Sequence, residues 1–388
     1  MASPPGPGDE SLHDRLLARI DADGPLAFSS FMEAALYDPR EGFYAGGGRA
    51  GRRGDFLTSP EVGPLFGAVL ARVLDASWDE LGRPDPFVVI EGGAGPGTLA
   101  RTVLAAGPRC AEALVHVLVE TSAAQRAAHG AHQPAWVGER AGGDLTAVVT
   151  APRAGRGPAV VSAADLPDAT VRGVVVANEL LDNLPFDPVA RATGGGVEEL
   201  RVVRGGDAAF APVIVPRGPT SADDVVLGAL PAGVWVPHQA AAAAWVGRAR
   251  DRLAEGQVLV VDYGASDADL AERPPLAWLR TFRGHERGGH PLDDPGTQDI
   301  TADVAVDQLL RGCPGGTVST QADFLLANGI DDLVEEGRRI WRERAHLGDL
   351  EALRGRSRVS EAEALLDPSG LGGFVVVRWD VGAGAPER

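Results

Sequence analysis

The sequence contains no lysine, so all 36 basic residues of the 388-residue chain are arginines, against 54 acidic residues. The formal net charge of −18 disfavours nucleic acid and anionic membrane surfaces as partners, because both are negatively charged. Cysteine is also scarce. Only Cys110 and Cys313 are present, so the sequence predicts neither a disulfide framework nor a cluster of metal ligands, and we expect no bound metal.

Long apolar runs are absent as well. No run approaches 18 consecutive apolar residues, so the sequence predicts no membrane-spanning helix. The first ten residues, MASPPGPGDE, lack the basic and apolar regions of a signal peptide and the arginines of a transit peptide. The apolar content of 44% and charged content of 23% are typical of a soluble globular protein. The expected location is therefore the cytoplasm.

A glycine-rich turn is the most informative feature that the sequence does contain. Phe87 to Ile90 are apolar and partly β-branched, which predicts a buried parallel strand. Helix-compatible residues return at Thr98. A strand, a turn without side chains and a helix N-terminus create a pocket in which the backbone can approach a nucleotide-like ligand closely. The turn itself consists of an acid and four glycines, namely Glu91, Gly92, Gly93, Gly95 and Gly97.

The spacing of this turn bears on the choice of cofactor. Glu91, Gly93, Gly95 and Gly97 form the E-x-G-x-G-x-G pattern associated with S-adenosylmethionine (SAM). A dinucleotide pattern can be forced onto Gly95, Gly97 and Ala100, but it leaves the acid without a role. SAM carries an ammonium and a sulfonium group and no phosphate, so a carboxylate suits it better than it suits a pyrophosphate. The sequence favours SAM over NAD, and a glycine turn that binds no ligand remains the structural alternative.

Further cofactor-binding residues are predicted at the ends of the following strands. Leu114 to Val119 reads as a second strand, and Glu120 at its end can hydrogen-bond ribose hydroxyls. Asp165 follows a short third strand, and Asn178 follows a fourth strand that begins at Val171. Together with Thr98, these residues complete the predicted cofactor site.

Strands alternate with helices through the middle of the chain, which predicts an α/β fold with a doubly wound, mostly parallel, Rossmann-like sheet. We expect a disordered tail at 1–9, an N-terminal helical segment at 10–84 that acts as a lid, and a SAM-binding core at 85–388. The core is expected to carry three insertions: a surface excursion at 130–158, added antiparallel strands at 188–216, and a segment at 276–301 that is mostly loop.

Two helix starts are predicted in the N-terminal segment. Ser29 can cap a second helix, and Thr58 or Ser59 can cap a third, in which Pro60 occupies the first turn. The glycine- and arginine-rich stretch 45–59 between them is typical of a solvated loop.

Several longer motifs occur in a fixed order along the chain. With them the sequence resembles the MidA-like family of class I SAM-dependent methyltransferases, which includes the arginine methyltransferase that assists assembly of mitochondrial complex I. The resemblance extends from about Phe31 to Trp379 and is poorest at 130–158. Besides the glycine turn, the matching motifs are FMEAALYDPREGFY (31–44), GDFLTSPEVGPLFG (54–67), NELLDNLP (178–185), VVDYG (260–264), PGTQDIT (295–301) and FLLANGI (324–330).

The resemblance implies methyl transfer from SAM to a protein substrate, with arginine as the expected acceptor. The sequence does not determine the oligomeric state, and a homodimer is compatible with it. Glu179 and Asp182 lie where this class places substrate groups, and their carboxylates can orient a guanidinium. His285, Asp299 and Thr301 resemble loop residues that close over the substrate, and His285 is a third candidate catalytic residue beside Glu179 and Asp182. Four further residues can face the same cleft if the N-terminal segment folds back as a lid, namely Asp55, Thr58, Ser59 and Glu61.

Simpler roles remain open for some of these residues. Asn178 and Glu179 can cap the turn that follows them, Thr58 and Ser59 can act only as helix caps, and His285 can be a solvated loop residue. Two other functions also remain open: a non-catalytic SAM-binding assembly factor and a small-molecule methyltransferase. The chain departs from the family pattern at four positions, where Gly92, Ala94, Asp303 and Ala305 replace an apolar residue, a proline, a histidine and an acid.

Overall fold

A computed structural model describes residues 10–45, 58–139, 143–284 and 286–382 of the chain. The predicted tail at 1–9 and two predicted site residues, Asp55 and His285, lie outside the described residues. Among the helices of the described ranges, none combines the length and the apolar character that a membrane crossing requires.

The α-helices of the described ranges pack on the sheets or on one another. In chain order they are α1 Leu12–Asp23, α2 Phe28–Tyr37, α3 Ser59–Val62, α4 Pro64–Glu80, α5 Thr98–Ala105, α6 Ala123–His132, α7 Gly143–Thr150, α8 Ser221–Leu227, α9 Ala240–Asp251, α10 Asp267–Glu272, α11 Val306–Gly312, α12 Gln321–Ala327, α13 Ile330–Arg344 and α14 Leu350–Leu366.

The strands of the same ranges are mostly rich in valine. They are β1 Leu26–Ala27, β2 Phe87–Gly92, β3 Leu114–Val119, β4 Trp136–Glu139, β5 Ala159–Ala163, β6 Val171–Asn178, β7 Asp187–Arg191, β8 Val197–Arg204, β9 Phe210–Arg217, β10 Trp235–His238, β11 Leu253–Asp262, β12 Gly264–Ala265, β13 Leu279–Arg283, β14 Glu286–Arg287, β15 Asp299–Ala302, β16 Val304–Ala305, β17 Thr317–Thr320 and β18 Val375–Val381.

The largest sheet has the strand order β17-β18-β11-β6-β2-β3-β5-β4. The run from β11 to β4 is parallel, and β18 is antiparallel to both of its neighbours. Every residue of β2 is buried, as expected for a central parallel strand covered on both faces. The predicted α/β fold is confirmed.

Alternate residues of the central strands enter two different cores. Val89 and Val174 pack in one core with the apolar stripe of α4. Val88 and Ile90 face the opposite side and pack with Trp245 of α9. Alternate residues of β2 therefore pack against helices on opposite faces of the sheet. The carboxyl end of the strand, at Gly92, lies between these two helical layers.

A second sheet joins the N-terminal segment to the middle of the chain. Its strands β1, β7, β8, β9 and β10 pair antiparallel, as predicted for 188–216. The helices α1 and α2 pack on this sheet through an aromatic core in which Phe186 lies 5.4 Å from Phe28 and 5.5 Å from Trp278, measured between ring centroids.

Two segments contain more secondary structure than the sequence predicts. The stretch 281–301, expected to be a loop, contributes β13, β14 and β15, because Ile300 and Ala302 are buried in the aromatic core despite their polar neighbours. The region 130–158, expected to be a surface excursion, contributes β4, which pairs parallel with β5 as an edge of the large sheet.

The helix starts of the N-terminal segment also differ from the prediction. Ser29 does not cap α2; its backbone N–H and hydroxyl donate to Asp187 at 2.8 and 2.9 Å. Thr58 precedes α3 but makes no side-chain capping bond. The single helix expected after Pro60 is interrupted at Gly63, because Pro64 disfavours helical geometry in the residue before it.

Candidate functional site

A cavity of about 400 Å³ lies at the carboxyl ends of β2, β3, β5 and β6. Loops at this edge of a parallel sheet commonly bind ligands, because the strands point their last residues into a shared crevice. The wall contains the glycine turn after β2, and it also includes residues of the N-terminal segment and of α9.

The glycine turn has a backbone that other residues adopt with strain. Gly95 and Gly97 have φ values of 52° and 78°, in the left-handed region. At position 97 there is also no space, because a Cβ would lie 2.2 Å from Nε2 of Gln133. This amide donates to the carbonyl oxygen of Gly97 at 2.7 Å. The turn therefore requires glycine both for its conformation and for the neighbour that supports it.

Both backbone polar groups of Gly95 form hydrogen bonds with side chains. Its N–H donates to Oε2 of Glu120 at 2.9 Å, and its carbonyl accepts from Nε2 of His129 at 2.7 Å. Since that carbonyl can only accept, Nε2 carries the proton, and Nδ1 accepts from the hydroxyl of Ser162 at 2.9 Å. Burial lowers the pKa of His129, which keeps the imidazole neutral in this tautomer.

Glu120, predicted to bind the cofactor ribose, lies in the cavity wall and is 8% exposed. Its other oxygen accepts from the N–H of Ser122 at 2.7 Å. Burial raises the pKa of Glu120, while the N–H groups of Ser122 and Gly95 counteract this effect. The carboxylate is therefore fixed in place beside the turn.

Glu91 also lines the cavity, but its carboxylate is already paired. Oε2 lies 2.8 Å from Nε2 of His116 on the neighbouring strand, and both side chains are almost fully buried. The other predicted cofactor residues reach the wall. Thr98 is the first residue of α5, Asp165 is exposed just past β5, and Asn178 ends β6. Of the residues predicted for the cofactor site, all except Gly97 line this cavity, and Gly97 lies in the same turn, directly before α5.

Glu179 contributes a carboxyl group to the cavity wall at the end of β6. Its φ is 52°, and its Oε1 accepts from the backbone N–H of Ser59 at 3.2 Å and from the amide of Asn178 at 3.1 Å. Oε2 has no hydrogen-bond partner among the described residues. Burial and the nearby Asp262 raise the pKa of Glu179 to about 8.

Asp182 does not line the cavity, although it is only three residues away. It is 3% exposed and lies behind the wall near Asp262, which accepts hydrogen bonds from the backbone N–H groups of residues 180–182. Burial and the two neighbouring acids Asp262 and Asp299 raise the pKa of Asp182 well above its usual range. Because Asp262 has the backbone donors, the proton of this pair belongs on Asp182.

Two tyrosines of the N-terminal segment cover the cavity, and the sequence reasoning did not single them out. Tyr37 donates to the carbonyl of Asn183 at 3.1 Å, and Tyr44 donates to Oδ1 of Asp299 at 3.2 Å. Their rings stack with centroids 5.5 Å apart. Asp299 and the predicted substrate residue Thr301 are buried behind them and are not part of the wall. Both tyrosines belong to the motif at 31–44, which was the available signal.

Of the site residues predicted at the start of α3, two line the cavity and one is buried in the protein interior. Thr58 and Glu61 line the cavity, and Oε2 of Glu61 has no partner in the described part of the chain. Burial raises the pKa of Glu61, and Arg101 opposes that shift. The hydroxyl of Ser59 instead donates to Oε1 of Gln321 at 2.9 Å, away from the cavity.

His129 and Gln133 are functional candidates that the sequence reasoning missed. They lie four residues apart at the end of α6, so they share one helical face toward the turn. That spacing was a signal, but the surrounding Ala/Gly-rich composition concealed it.

Asp303, which departs from the family pattern, lies outside the cavity wall. It is 2% exposed and forms ion pairs with Arg273 and Arg280. The guanidinium of Arg280 in turn lies 5.3 Å from the ring centroid of Tyr263. Asp303 is thus part of a buried ion cluster, while Ala305 is buried in the aromatic core.

The charge of the cavity is strongly one-sided. Within the described ranges its wall contains one arginine, Arg248, and six carboxylates, which are Glu33, Glu61, Glu91, Glu120, Asp165 and Glu179. Such a wall suits a cationic ligand and disfavours a pyrophosphate. In the same ranges no group of three or more His, Cys, Asp or Glu side chains could hold a metal ion.

Comparison with known families agrees with this geometry. The profile of the family described as "Putative S-adenosyl-L-methionine-dependent methyltransferase" matches residues 69–313, well over half of the chain. The chain belongs to this family. It is a SAM-dependent methyltransferase, as predicted, and its cofactor is SAM. The bare glycine turn, the fixed Glu120 and the acidic wall fit this cofactor, since its ammonium and sulfonium groups are cationic.

Individual relatives support the assignment. A Danio rerio protein named Protein arginine methyltransferase NDUFAF7, mitochondrial, is 29% identical over 84% of this chain and 78% of its own length. The Drosophila melanogaster homolog is 41% identical, but the match covers 25% of this chain and 22% of that protein. A Burkholderia thailandensis protein solved with bound S-adenosyl-homocysteine is 28% identical, with a TM-score of 0.75 over 100% of this chain and 96% of that one.

The prediction of a cytoplasmic location is wrong by the same comparison. The zebrafish, mouse and human relatives are all named as mitochondrial proteins. The prediction rested on the lack of a recognisable targeting segment, and such a lack does not identify a compartment.

Proposed function

We propose that this methyltransferase transfers a methyl group from SAM to an arginine side chain of a protein substrate. The observation that carries the proposal is the uncommitted Oε2 of Glu179 in a wall that contains six carboxylates. A guanidinium has a pKa above 12 and arrives as a cation, so it requires such an environment. The names of the zebrafish and human relatives, which are protein arginine methyltransferases, support the same acceptor.

The reaction requires the protein to orient the acceptor and to stabilise its charge. When bound, SAM supplies an electrophilic methyl group, and the acceptor nitrogen must approach it in line. Glu179 would orient the guanidinium through its free oxygen. Once the nitrogen is methylated it must lose a proton, and Oε2 of Glu179 can accept it, because a pKa of about 8 is close to physiological pH.

The other predicted residues take supporting roles in this proposal. Glu120 would bind the ribose hydroxyls, and Asp165 and Asn178 would contact the rest of the cofactor. Asp182, buried behind the wall, would act on the electrostatics of Glu179 without touching the acceptor. We assign Asp299 and Thr301 the same indirect position, whereas Asp55 keeps its predicted role toward the substrate and His285 its predicted catalytic role.

The N-terminal segment at 10–84 would act as the lid of the doubly wound core at 85–388. Tyr37 and Tyr44 support this role, because both line the cavity and each donates a hydrogen bond to a residue of the core. A lid that excludes water would strengthen the electrostatic contacts between the acidic wall and a cationic acceptor.

The proposal is tested by incubating the enzyme with methyl-labelled SAM and a lysate, followed by mass spectrometry of the labelled molecules. We expect label on an arginine of a protein, and we expect Glu179→Gln to reduce the labelling strongly. Label confined to small molecules would contradict the protein acceptor. An absence of turnover with any acceptor, together with retained SAM binding, would contradict catalysis.

A further inference from the structure

Arg248 is a cation in an acidic cavity that pairs with none of its acids. It lines the cavity from α9 and is exposed, and its guanidinium forms no hydrogen bond or ion pair with any other described residue. Two of the cavity acids have partners of their own: Glu91 pairs with His116, and Glu120 accepts from two backbone N–H groups. Arg248 is therefore free to bind an anion that enters the cavity.

The position of α9 determines at which end of the cavity Arg248 lies. Trp245, one turn earlier on α9, contacts the start of the glycine turn: a Cβ on Gly92 would lie 2.4 Å from its Cζ2. Residues three apart share a helical face, so Arg248 is placed beside the same turn. Glu120 and Asp165 follow β3 and β5, on the other side of β2 in the sheet. Glu120 and Asp165, the acids expected near the nucleoside, therefore lie at one end of the cavity, and Arg248 lies at the other.

We infer that Arg248 binds the carboxylate of the methionine portion of SAM. This inference rests on the cofactor lying in this cavity. The carboxylate is the one anionic group of SAM, and six wall carboxylates would repel it unless a cation neutralised it. A guanidinium matches a carboxylate in a two-pronged, charge-assisted geometry. No existing ion pair within the described residues must break for this contact to form.

The experiment compares SAM with decarboxylated SAM, which keeps the sulfonium and amine but lacks the carboxylate. Calorimetry gives the dissociation constant of each ligand for the wild type, Arg248→Ala, Arg248→Lys and Arg250→Ala. Arg250 is the matched control, because it lies on α9 outside the cavity wall and donates to the carbonyl of Pro314 at 3.2 Å. Its removal changes the net charge by the same amount.

The wild type and Arg250→Ala should bind SAM about 10- to 100-fold more tightly than decarboxylated SAM, the range of a charge-assisted bond. Arg248→Ala should bind the two ligands equally, through weaker SAM binding, and Arg248→Lys should be intermediate. Arg248→Ala with the wild-type preference, or with equal weakening of both ligands, would overturn the inference. No acceptor is present in this experiment, so its outcome is separate from that of the arginine-methylation test.

Discussion

The indole ring of Trp245 occupies the space where a side chain on Gly92 would begin. A Cβ at position 92 would lie 2.4 Å from Cζ2 of Trp245, and the backbone there is ordinary strand. Glycine is required at this position because of the tryptophan, and not because of its own conformation. This contact accounts for the glycine where the family pattern has an apolar residue.

The two positions should therefore be energetically coupled. Gly92→Leu should destabilise the protein by about 1–3 kcal/mol through overpacking, and Trp245→Ala by about 3–5 kcal/mol through the cavity it leaves. In the double variant the leucine can enter that cavity, so its cost should be about 1–2 kcal/mol below the sum. Urea unfolding of the four proteins measures the coupling.

Gly194→Leu is the control for this cycle, because a Cβ there meets nothing within 4 Å. It should change the free energy of unfolding by about 0.5 kcal/mol or less. Strict additivity of Gly92→Leu and Trp245→Ala would show that the ring does not determine the glycine.

Glu120→Ala should weaken SAM binding by roughly 1–3 kcal/mol, because a charged hydrogen bond to the ribose is lost. The N–H groups of Gly95 and Ser122 also lose their acceptor, which loosens the turn. Calorimetry with SAM and S-adenosylhomocysteine measures the effect. The exposed Glu112 provides a charge-matched control, and Glu112→Ala should bind like the wild type. A folded Glu120→Ala variant with full affinity would remove Glu120 from the cofactor site.

Glu179→Gln should preserve SAM affinity and reduce turnover by 100-fold or more, about 2.7 kcal/mol, if its carboxylate orients the acceptor. The amide keeps the shape and can still accept from the N–H of Ser59. Both quantities are measured on the same variant with the acceptor found by labelling. If affinity and turnover fall together, Glu179 belongs to the cofactor site. If neither falls, it only caps the turn.

As the pH rises, the stability of the protein should fall while its activity should increase. The pKa of Glu179 is about 8 in the folded protein, above its unfolded value of 4.5, so the folded state binds the extra proton. The stability from this group is complete below about pH 4.5 and is lost as the pH rises through 8. The base function of Glu179 requires the ionised form, so kcat/KM for the acceptor should rise through about pH 8.

Thermal unfolding and initial rates between pH 6 and 9 measure both trends. Glu179→Gln should flatten the stability profile across this window, because the amide does not titrate. A wild-type stability that increases with pH in the same window would show that other groups dominate, and an unchanged slope in the variant would exclude Glu179 as the cause.

The local pattern of the sequence was sufficient for the central strands and the turn between them. The predicted strand at 114–119 coincides with β3, and Glu91, Gly93 and Gly95 line one cavity. These features are local: a run of β-branched residues favours a buried strand, and left-handed backbone favours glycine. The SAM-dependent activity follows from this turn together with the order of the motifs.

Tertiary structure alone decided which polar side chains reach the cavity. Glu179 and Asp182 are equivalent in a sequence pattern, yet Glu179 lines the cavity, whereas Asp182 is buried outside the wall and its backbone N–H donates to Asp262. Tyr44 and Arg248 lie about 200 residues apart in the sequence, yet both line the same cavity. They come from different elements that pack against the sheet. Periodicity reports which face of a single element is buried, but a site assembled from several elements depends on how those elements pack, which no local pattern contains.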